Sequence, residues 1–89
     1  MEHMDTEELV QLTAARRYAS SGAGRQIRLT AGLSLQEVAN AVGVTEAAVY
    51  RWEVGQRKPT GQPAILWAYL LIRLQRRTHR RLQRKPVAS

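Results

Sequence analysis

The sequence contains no cysteine and no phenylalanine. The lack of cysteine excludes disulfides, thiolate zinc sites and cysteine nucleophiles, and it favours a reducing, intracellular compartment. The longest apolar run, residues 64–72, has nine residues, well short of the roughly 20 that a membrane-spanning helix needs. The acidic N-terminus also does not have the basic and apolar regions of a secretory signal. We therefore expect a cytoplasmic protein.

Residues that carry chemistry are scarce as well. The two histidines, His3 and His79, stand near opposite ends of the chain. We find no glycine-rich phosphate loop, no paired carboxylates in an apolar context and no metal-ligand cluster. The sequence therefore predicts no enzymatic activity, no cofactor and no metal. The enzymatic alternative is a small basic RNA-cleaving toxin that uses His79 as its base.

Basic residues outnumber acidic ones by 14 to 7, which gives a formal net charge of +7. Twelve of the 14 are arginine and two are lysine. Arginine presents a rigid fork of donors that matches phosphates and guanine edges, whereas lysine acts more like a point charge. This composition predicts a nucleic-acid partner. The simpler alternative is a generic basic surface that serves solubility.

Helix-start and helix-stop patterns divide the chain into five helical segments, and no segment alternates with the period of a strand. Asp5, Ser34 and Thr45 are expected to cap the first, third and fourth helices, and Ser21 the second. The expected helices span residues 5–20, 22–31, 35–42, 46–53 and about 62–84. The sequence thus predicts an all-α fold.

Helical spacing also predicts which side chains face inward. In the first helix, this apolar face is formed by Leu9, Leu12, Ala15 and Ala19, and Arg16 and Arg17 are expected in the last turn. In the fourth helix, Val49 and Trp52 point inward. Four aromatic residues are expected in the core or at an interface rather than as stacking platforms: Tyr18, Trp52, Trp67 and Tyr69.

The helices at 35–42 and 46–53 are separated by a three-residue turn that contains Gly43, which is the pattern of a helix-turn-helix. The surrounding stretch, residues 33–59, reads LSLQEVANAVGVTEAAVYRWEVGQRKP. It resembles the Cro/phage-repressor type of helix-turn-helix regulators, the XRE-like family, over about residues 21–74. The family's RWExGxRxP tail is matched by Arg51, Trp52, Glu53, Gly55, Arg57 and Pro59.

The resemblance implies a compact lambda-repressor-like five-helix domain whose helix 46–53 enters the DNA major groove. It also implies that Glu53 pairs with Arg28 as a structural ion pair rather than acting as an acid or base. One position departs from the pattern, because many members carry glutamine where Leu35 stands. Only the backbone donors there and the neighbouring Gln36 remain to bind phosphate.

We expect three parts along the chain. Residues 1–20 form a helix with an acidic start that packs on the core or on a partner. Residues 21–74 form the DNA-binding domain. Residues 75–89 form a basic extension of the last helix and a frayed tail.

With Val49 and Trp52 inward, the helical period turns the opposite face of helix 46–53 outward. The predicted base-reading residues on this face are Arg51 for guanine, Glu46 for cytosine and Ala47 for a thymine methyl group. Glu46 has a second explanation, since an acid in the first turn stabilises the helix dipole without DNA. The predicted contacts to the DNA backbone are Gln36, Thr45, Tyr50, Arg57, Lys58, Arg73, Arg76, Arg77 and Arg80. For Arg57 and Lys58, the alternative is a solvated loop.

Arginines recur along one face of the last helix at spacings of three and one, with no acidic residue among them. They are Arg73, Arg76, Arg77, Arg80, Arg81 and Arg84. DNA backbone is the first expected partner, and a solvated tail or an acidic membrane surface are the alternatives. Opposite them runs an apolar stripe of Trp67, Leu71, Leu74 and Leu82, which is expected to cover the N-terminal helix or a second protomer.

Together these features predict a sequence-specific regulator that binds double-stranded DNA, as a repressor, a Cro-like switch or an activator. A homodimer on a palindromic operator is expected, because one such module covers only a half-site. The alternative is an antitoxin-type interaction module whose terminal helices hold a protein partner.

Overall fold

The computed structural model describes residues 4–83. This part of the chain folds into five helices and contains no strand, which confirms the all-α prediction. The helices are α1 (Thr6–Ser21), α2 (Ala23–Thr30), α3 (Leu35–Val42), α4 (Glu46–Glu53) and α5 (Gly61–Gln83). Within residues 4–83, no helix is long and apolar enough to cross a membrane. The expectations for His3, for Arg84 and the tail, and for the side chains of Arg81 and Leu82 lie outside the described part.

Local capping begins α1, α3 and α4 as predicted. Asp5 accepts a hydrogen bond from the Glu8 amide at 2.8 Å, and Ser34 accepts one from the Glu37 amide at 3.0 Å. In both cases the glutamate carboxylate accepts in return from the amide of its capping residue, which completes a capping box. Thr45 caps α4 through the Ala48 amide at 3.1 Å.

The junction of α1 and α2 differs from the prediction. Ser21 is the last residue of α1 rather than the cap of α2, and the boundary falls at Gly22, which has a φ of +80°. Glycine reaches this left-handed conformation without steric cost, so it ends one helix and begins the next. Because α1 extends to Ser21, Arg16 and Arg17 lie before its last turn. At its other end α2 stops at Thr30, with Ala31 as its C-cap.

The core lies where α1 and α2 pack against α5, and where α3 and α4 close the remaining side. Trp52 of α4 and Trp67 of α5 meet in it with their ring centroids 5.0 Å apart. Trp67 and Leu71, from the apolar stripe of α5, are fully buried inside the chain's own core. The first half of this stripe therefore covers neighbouring helices of the same chain, whereas Leu74 is only half-buried.

Two predicted core residues lie outside the core. Leu9 is 51% exposed, whereas Leu12, Ala15 and Ala19 of the same helix are buried. Leu9 is about 60° from Leu12 around the helix and about 120° from Ala15, so it falls at the flank of the buried arc. Tyr69 is 53% exposed, and its ring contacts the guanidinium of Arg73 at 5.8 Å instead.

The segment before α5 is anchored by Pro59, which the sequence indicated only as the last residue of the RWExGxRxP tail. The Pro59 side chain is fully buried, and its carbonyl oxygen accepts a hydrogen bond from Nε of Arg16 at 3.2 Å. α5 then begins at Gly61, and Pro63 lies in its first turn, where the missing amide hydrogen costs no helical hydrogen bond. The loop after α4 is thereby attached to α1.

Candidate nucleic-acid interface

The turn between α3 and α4 sets the angle of the two helices. Gly43 adopts a φ of +78°, and the amides of Gly43 and Val44 both donate to the carbonyl of Ala39, at 2.9 and 3.1 Å. Ala39 itself is 2% exposed, so the turn rests directly on the core. A residue with a Cβ would be strained at this φ, which accounts for glycine in the turn.

α4 has one buried face and one open face. Val49 and Trp52 are buried in the core, as the spacing predicts. Glu46, Ala47, Tyr50 and Arg51 are all exposed. Neither Glu46 nor Arg51 forms an ion pair among the described residues. The exposed face of α4 therefore presents an acid, a methyl group, a phenol and a guanidinium side by side, and no residue within 4–83 pairs with either charge.

The C-terminal end of α4 is held by a buried ion pair with α2. Nε and Nη2 of Arg28 donate to the two carboxylate oxygens of Glu53, at 2.6 and 3.0 Å. Nη1 of Arg28 also donates to the carbonyl of Leu33 at 2.9 Å, in the loop before α3. The hydrogen bond to Glu53 raises the pKa of Arg28 above its ordinary value. A bidentate pair with both members buried fixes the relative position of α2, α3 and α4.

The loop that follows α4 folds back on the helix. The amides of Gln56 and Arg57 both donate to the carbonyl of Arg51, at 2.9 and 3.2 Å, and Gly55 adopts a φ of +75°. This turn directs Arg57 and Lys58 toward the start of α4, where they line one groove with Thr45. Three residues predicted to contact the DNA backbone are thus brought together.

The structure also adds a basic residue to this region. Arg25 and Gln26 of α2 are exposed and line a cleft with Tyr50 of α4. Neither was singled out in the sequence, because the spacing within α2 does not show which helix lies beside it. The only available indication was the arginine-rich composition.

At the start of α3, leucine stands at position 35, where many members of the family carry glutamine, and it has a structural role. Leu35 is half-buried and packs against the core, whereas Gln36 beside it is exposed. The amide of Glu37 is already used by Ser34 in the capping box. The amides of the first helical turn before Glu37 are the donors left at this end of α3.

A family model described as Helix-turn-helix, HTH_3, matches residues 25–69, which is half of the chain. The chain belongs to this helix-turn-helix family. As a member it is a DNA-binding transcriptional regulator, and α3 with α4 forms the helix-turn-helix. A search of the curated proteins and a search of the solved structures each give no match.

The arginines of α5 lie apart from α4 in this helix-turn-helix protein. Arg73, Arg76, Arg77 and Arg80 are all exposed and line a groove between α1 and α5. Glu7 and Gln11 of α1 form the other wall, and no residue of α3 or α4 lines this groove. The structure therefore separates the residues predicted to contact the DNA backbone into one group around α4 and another between α1 and α5.

Among the described residues, no cluster of three or more potential metal ligands is present.

Proposed function

We propose that this protein is a sequence-specific regulator that binds double-stranded DNA by inserting α4 into the major groove. The observation that carries the proposal is the open face of α4. Its four outward residues have no charged partner in the described part of the chain, while the helix is fixed by core packing and by the Arg28–Glu53 pair. A rigid helix with free donors and acceptors is what base recognition in the major groove requires.

Three residues of this face read bases. Arg51 donates to O6 and N7 of guanine, Glu46 accepts from N4 of cytosine, and Ala47 contacts a thymine methyl group. Tyr50 lies in the cleft beside Arg25, which places its hydroxyl near a cation that attracts a phosphate. Tyr50 and Arg25 therefore contact the backbone rather than a base edge.

The DNA phosphates that flank the major groove are bound by residues at the start of α3, at the start of α4 and in the loop after α4. Thr45, Arg57 and Lys58 surround one groove, and the Thr45 hydroxyl still has its hydrogen to donate after accepting from Ala48. The first amides of α3 and the exposed Gln36 bind a second phosphate. These contacts set affinity and register, whereas the α4 face sets the sequence.

The protein acts as a homodimer on a palindromic operator in the cytoplasm, as a repressor or a Cro-like switch. A single helix-turn-helix covers one half-site, and two such helices side by side read half-sites about 34–36 Å apart. The net charge of +7 attracts the duplex and speeds association at low salt.

Selection of bound duplexes from a random pool tests the proposal, and one enriched palindrome is the expected result. On that site, Arg51→Ala should cost about 1–3 kcal/mol of binding free energy and relax one base position. The comparison variant is Arg57→Ala, which should weaken all duplexes alike and lower the salt slope by about 1. Recovery of no common sequence, or equal losses for both variants on selected and random DNA, would contradict the proposal.

A second candidate function is supported by the elements outside the family match. α1 and the part of α5 beyond residue 69 lie outside residues 25–69, and α1 packs along α5. Together they build the arginine-lined groove. An antitoxin-type protein binds DNA through its centre and a protein partner through its terminal helices. Such a function accounts for the terminal helices and their groove. Copurification with one defined partner separates it from a stand-alone regulator.

A further inference from the structure

We propose that the groove between α1 and α5 binds an acidic, amphipathic segment of a different protein. This inference deepens the second candidate function and rests on it. It concerns the surface formed by Glu7 and Gln11 on α1 and by Tyr69, Arg73, Arg76, Arg77 and Arg80 on α5, which we call the α1–α5 groove.

The charge of the α1–α5 groove is strongly positive. Four arginines line it, and none of them forms an ion pair among the described residues. α5 contains no acidic residue over its whole length. The single carboxylate in the groove, Glu7, accepts a hydrogen bond from the side-chain amide of Gln11 at 3.1 Å rather than binding an arginine. Like charges spaced three and four residues apart repel, so an anionic partner stabilises this part of α5.

The floor of the same groove is apolar. Leu70, Ile72 and Leu74 line it and are each only half-buried, and the ring of Tyr69 lies open beside them. The groove has a volume of about 740 Å³, within the range of about 300–1,000 Å³ that holds ligands in proteins. An occupant that fills it has apolar groups for the floor and carboxylates for the rim.

This mixture favours an acidic protein segment over DNA. The sugar-phosphate backbone has no apolar side chains to cover the floor. A helix with leucine-like residues on one side and carboxylates on its flanks satisfies both requirements. The groove also lies apart from α3 and α4, so its occupation leaves the DNA-binding face free.

A second copy of this chain is a poor occupant for the same reason of charge. In a symmetric dimer the same surface meets itself, and each copy brings four arginines against one glutamate. The two surfaces would repel each other. The homodimer proposed for operator binding therefore uses another face, and the α1–α5 groove remains available in it.

Gln11 also lies in the groove, where its side-chain oxygen Oε1 accepts no hydrogen bond from the described residues. Its amide group therefore reports on occupation of the groove.

The test uses the full chain and a labelled synthetic peptide of about 20 residues, ~30 Å long as a helix, with leucines on one face and glutamates on the other. A scrambled peptide of the same composition is the control ligand. Fluorescence anisotropy gives the affinities, and amide chemical shifts of Gln11, Tyr69 and Leu70 give the location. We expect the amphipathic peptide to bind more tightly than the scrambled one and to shift these amides.

The protein variants are Arg76→Glu in the groove and Arg17→Glu on the exposed outer side of α1. Both change the net charge equally and both positions are exposed, so circular dichroism should show folded proteins. Arg76→Glu should weaken the amphipathic peptide about tenfold, because an attraction becomes a repulsion. Arg17→Glu should leave its affinity within about twofold, since a distant charge acts only through the screened field.

Three results would overturn the inference. The first is equal affinity for the two peptides, which would make the groove a general positively charged surface. The second is a loss of duplex DNA affinity for Arg76→Glu as large as that for Arg57→Ala, which would assign the arginines to the DNA backbone. The third is binding of phosphatidylserine vesicles that depends on Arg76, with no binding of the peptide. Failure of the DNA proposal is detected separately. If the selection enriches no palindrome but the peptide still binds, only the proposal of operator binding is refuted.

Discussion

Glu53 is the last residue of α4, and its carboxylate is 1% exposed beside a guanidinium that is 9% exposed. Burial removes water from both groups, and the two hydrogen bonds between them replace it. Arg28 uses its third nitrogen on the Leu33 carbonyl, so a single side chain connects α2, the loop before α3 and α4. The pair positions α4 and does not belong to the open face of that helix.

Replacing Glu53 with glutamine should lower the free energy of unfolding by about 3–5 kcal/mol, because Arg28 then remains buried without a counter-charge. Urea unfolding followed by circular dichroism measures the loss. The matched control is Glu46→Gln on the open face of the same helix, which should cost at most about 1 kcal/mol. The double variant Arg28→Met, Glu53→Leu should recover part of the loss. Similar stability of Glu53→Gln and Glu46→Gln would contradict the structural role of the pair.

Gly24 is a helical residue whose smallness is required by packing. A Cβ built there lies 2.8 Å from Cζ2 of Trp67, whose ring is fully buried against Trp52. The ring or the helix must therefore shift to admit a side chain at this position. α2 can therefore approach α5 closely only because residue 24 has no side chain.

Gly24→Ala should therefore destabilise the fold by about 1–3 kcal/mol, the usual cost of overpacking. Helix propensity alone predicts the opposite sign, since alanine in a helix is favoured over glycine by about 1 kcal/mol. Thermal unfolding decides between the two effects. Gln26→Ala, at an exposed position of the same helix, should change stability by no more than about 0.5 kcal/mol. An increase in Tm for Gly24→Ala would show that the two tryptophans can rearrange.

α3 is a helix of only eight residues, so its ends carry much of its stability. The amide of Ser34 donates to the Glu37 carboxylate at 2.9 Å, and this bond lowers the pKa of Glu37 below its ordinary value. A lowered pKa in the folded state means that the ionised carboxylate favours folding. Its contribution is complete above the ordinary glutamate pKa and is lost as the pH falls through the lowered one.

Two variants of the α3 capping box should show this pH dependence. Ser34→Ala should lower the free energy of unfolding by about 1 kcal/mol at neutral pH, because the Glu37 amide loses its partner. Glu37→Gln should be less stable than the natural chain at neutral pH, and the difference should disappear once the pH has fallen through the lowered pKa of Glu37, where the natural carboxyl is neutral too. Urea unfolding at several pH values gives both results. A difference that stays constant with pH would exclude ionised Glu37 as the stabilising species.

The family model matches residues 25–69, so α1 and the last part of α5 lie outside the match. Their apolar faces close the core, and their outer faces carry the α1–α5 groove. The protein thus has two separate charged surfaces, one at α4 with its following loop and one between the terminal helices. In the proposed function, this separation leaves the surface at α4 free for DNA while the α1–α5 groove binds a protein partner.

Two chains should bind one palindromic duplex, because each offers a single α4. Sedimentation of the complex should give two protomers per operator, and a duplex with one half-site should bind one protomer with lower affinity. Changing the half-site spacing by about half a helical turn should abolish the gain from the second half-site. Sedimentation of a monomer both free and on the full operator would refute the dimer.

Much of the fold was predictable because its rules are local. The bounds of α3 and α4 agree with the prediction, since Ser34, Gly43 and Thr45 specify them through bonds to residues only a few positions away. The open face of α4 followed from the helical period once Val49 and Trp52 were placed inside. The α1–α2 boundary was missed, because the five small residues at 20–24 allow several end points and only the backbone of Gly22 selects one.

Helical periodicity assigns an apolar arc to each helix, but it does not state which neighbour covers that arc or how far the cover extends. For this reason the exposure of Leu9 and Tyr69, the burial of Pro59 and the need for glycine at 24 became visible only when the five helices were packed together. The same holds for the arginines of α5. Their common face follows from their spacing in the sequence. Their position opposite α1 and away from α4 depends on contacts between segments that are distant in the chain.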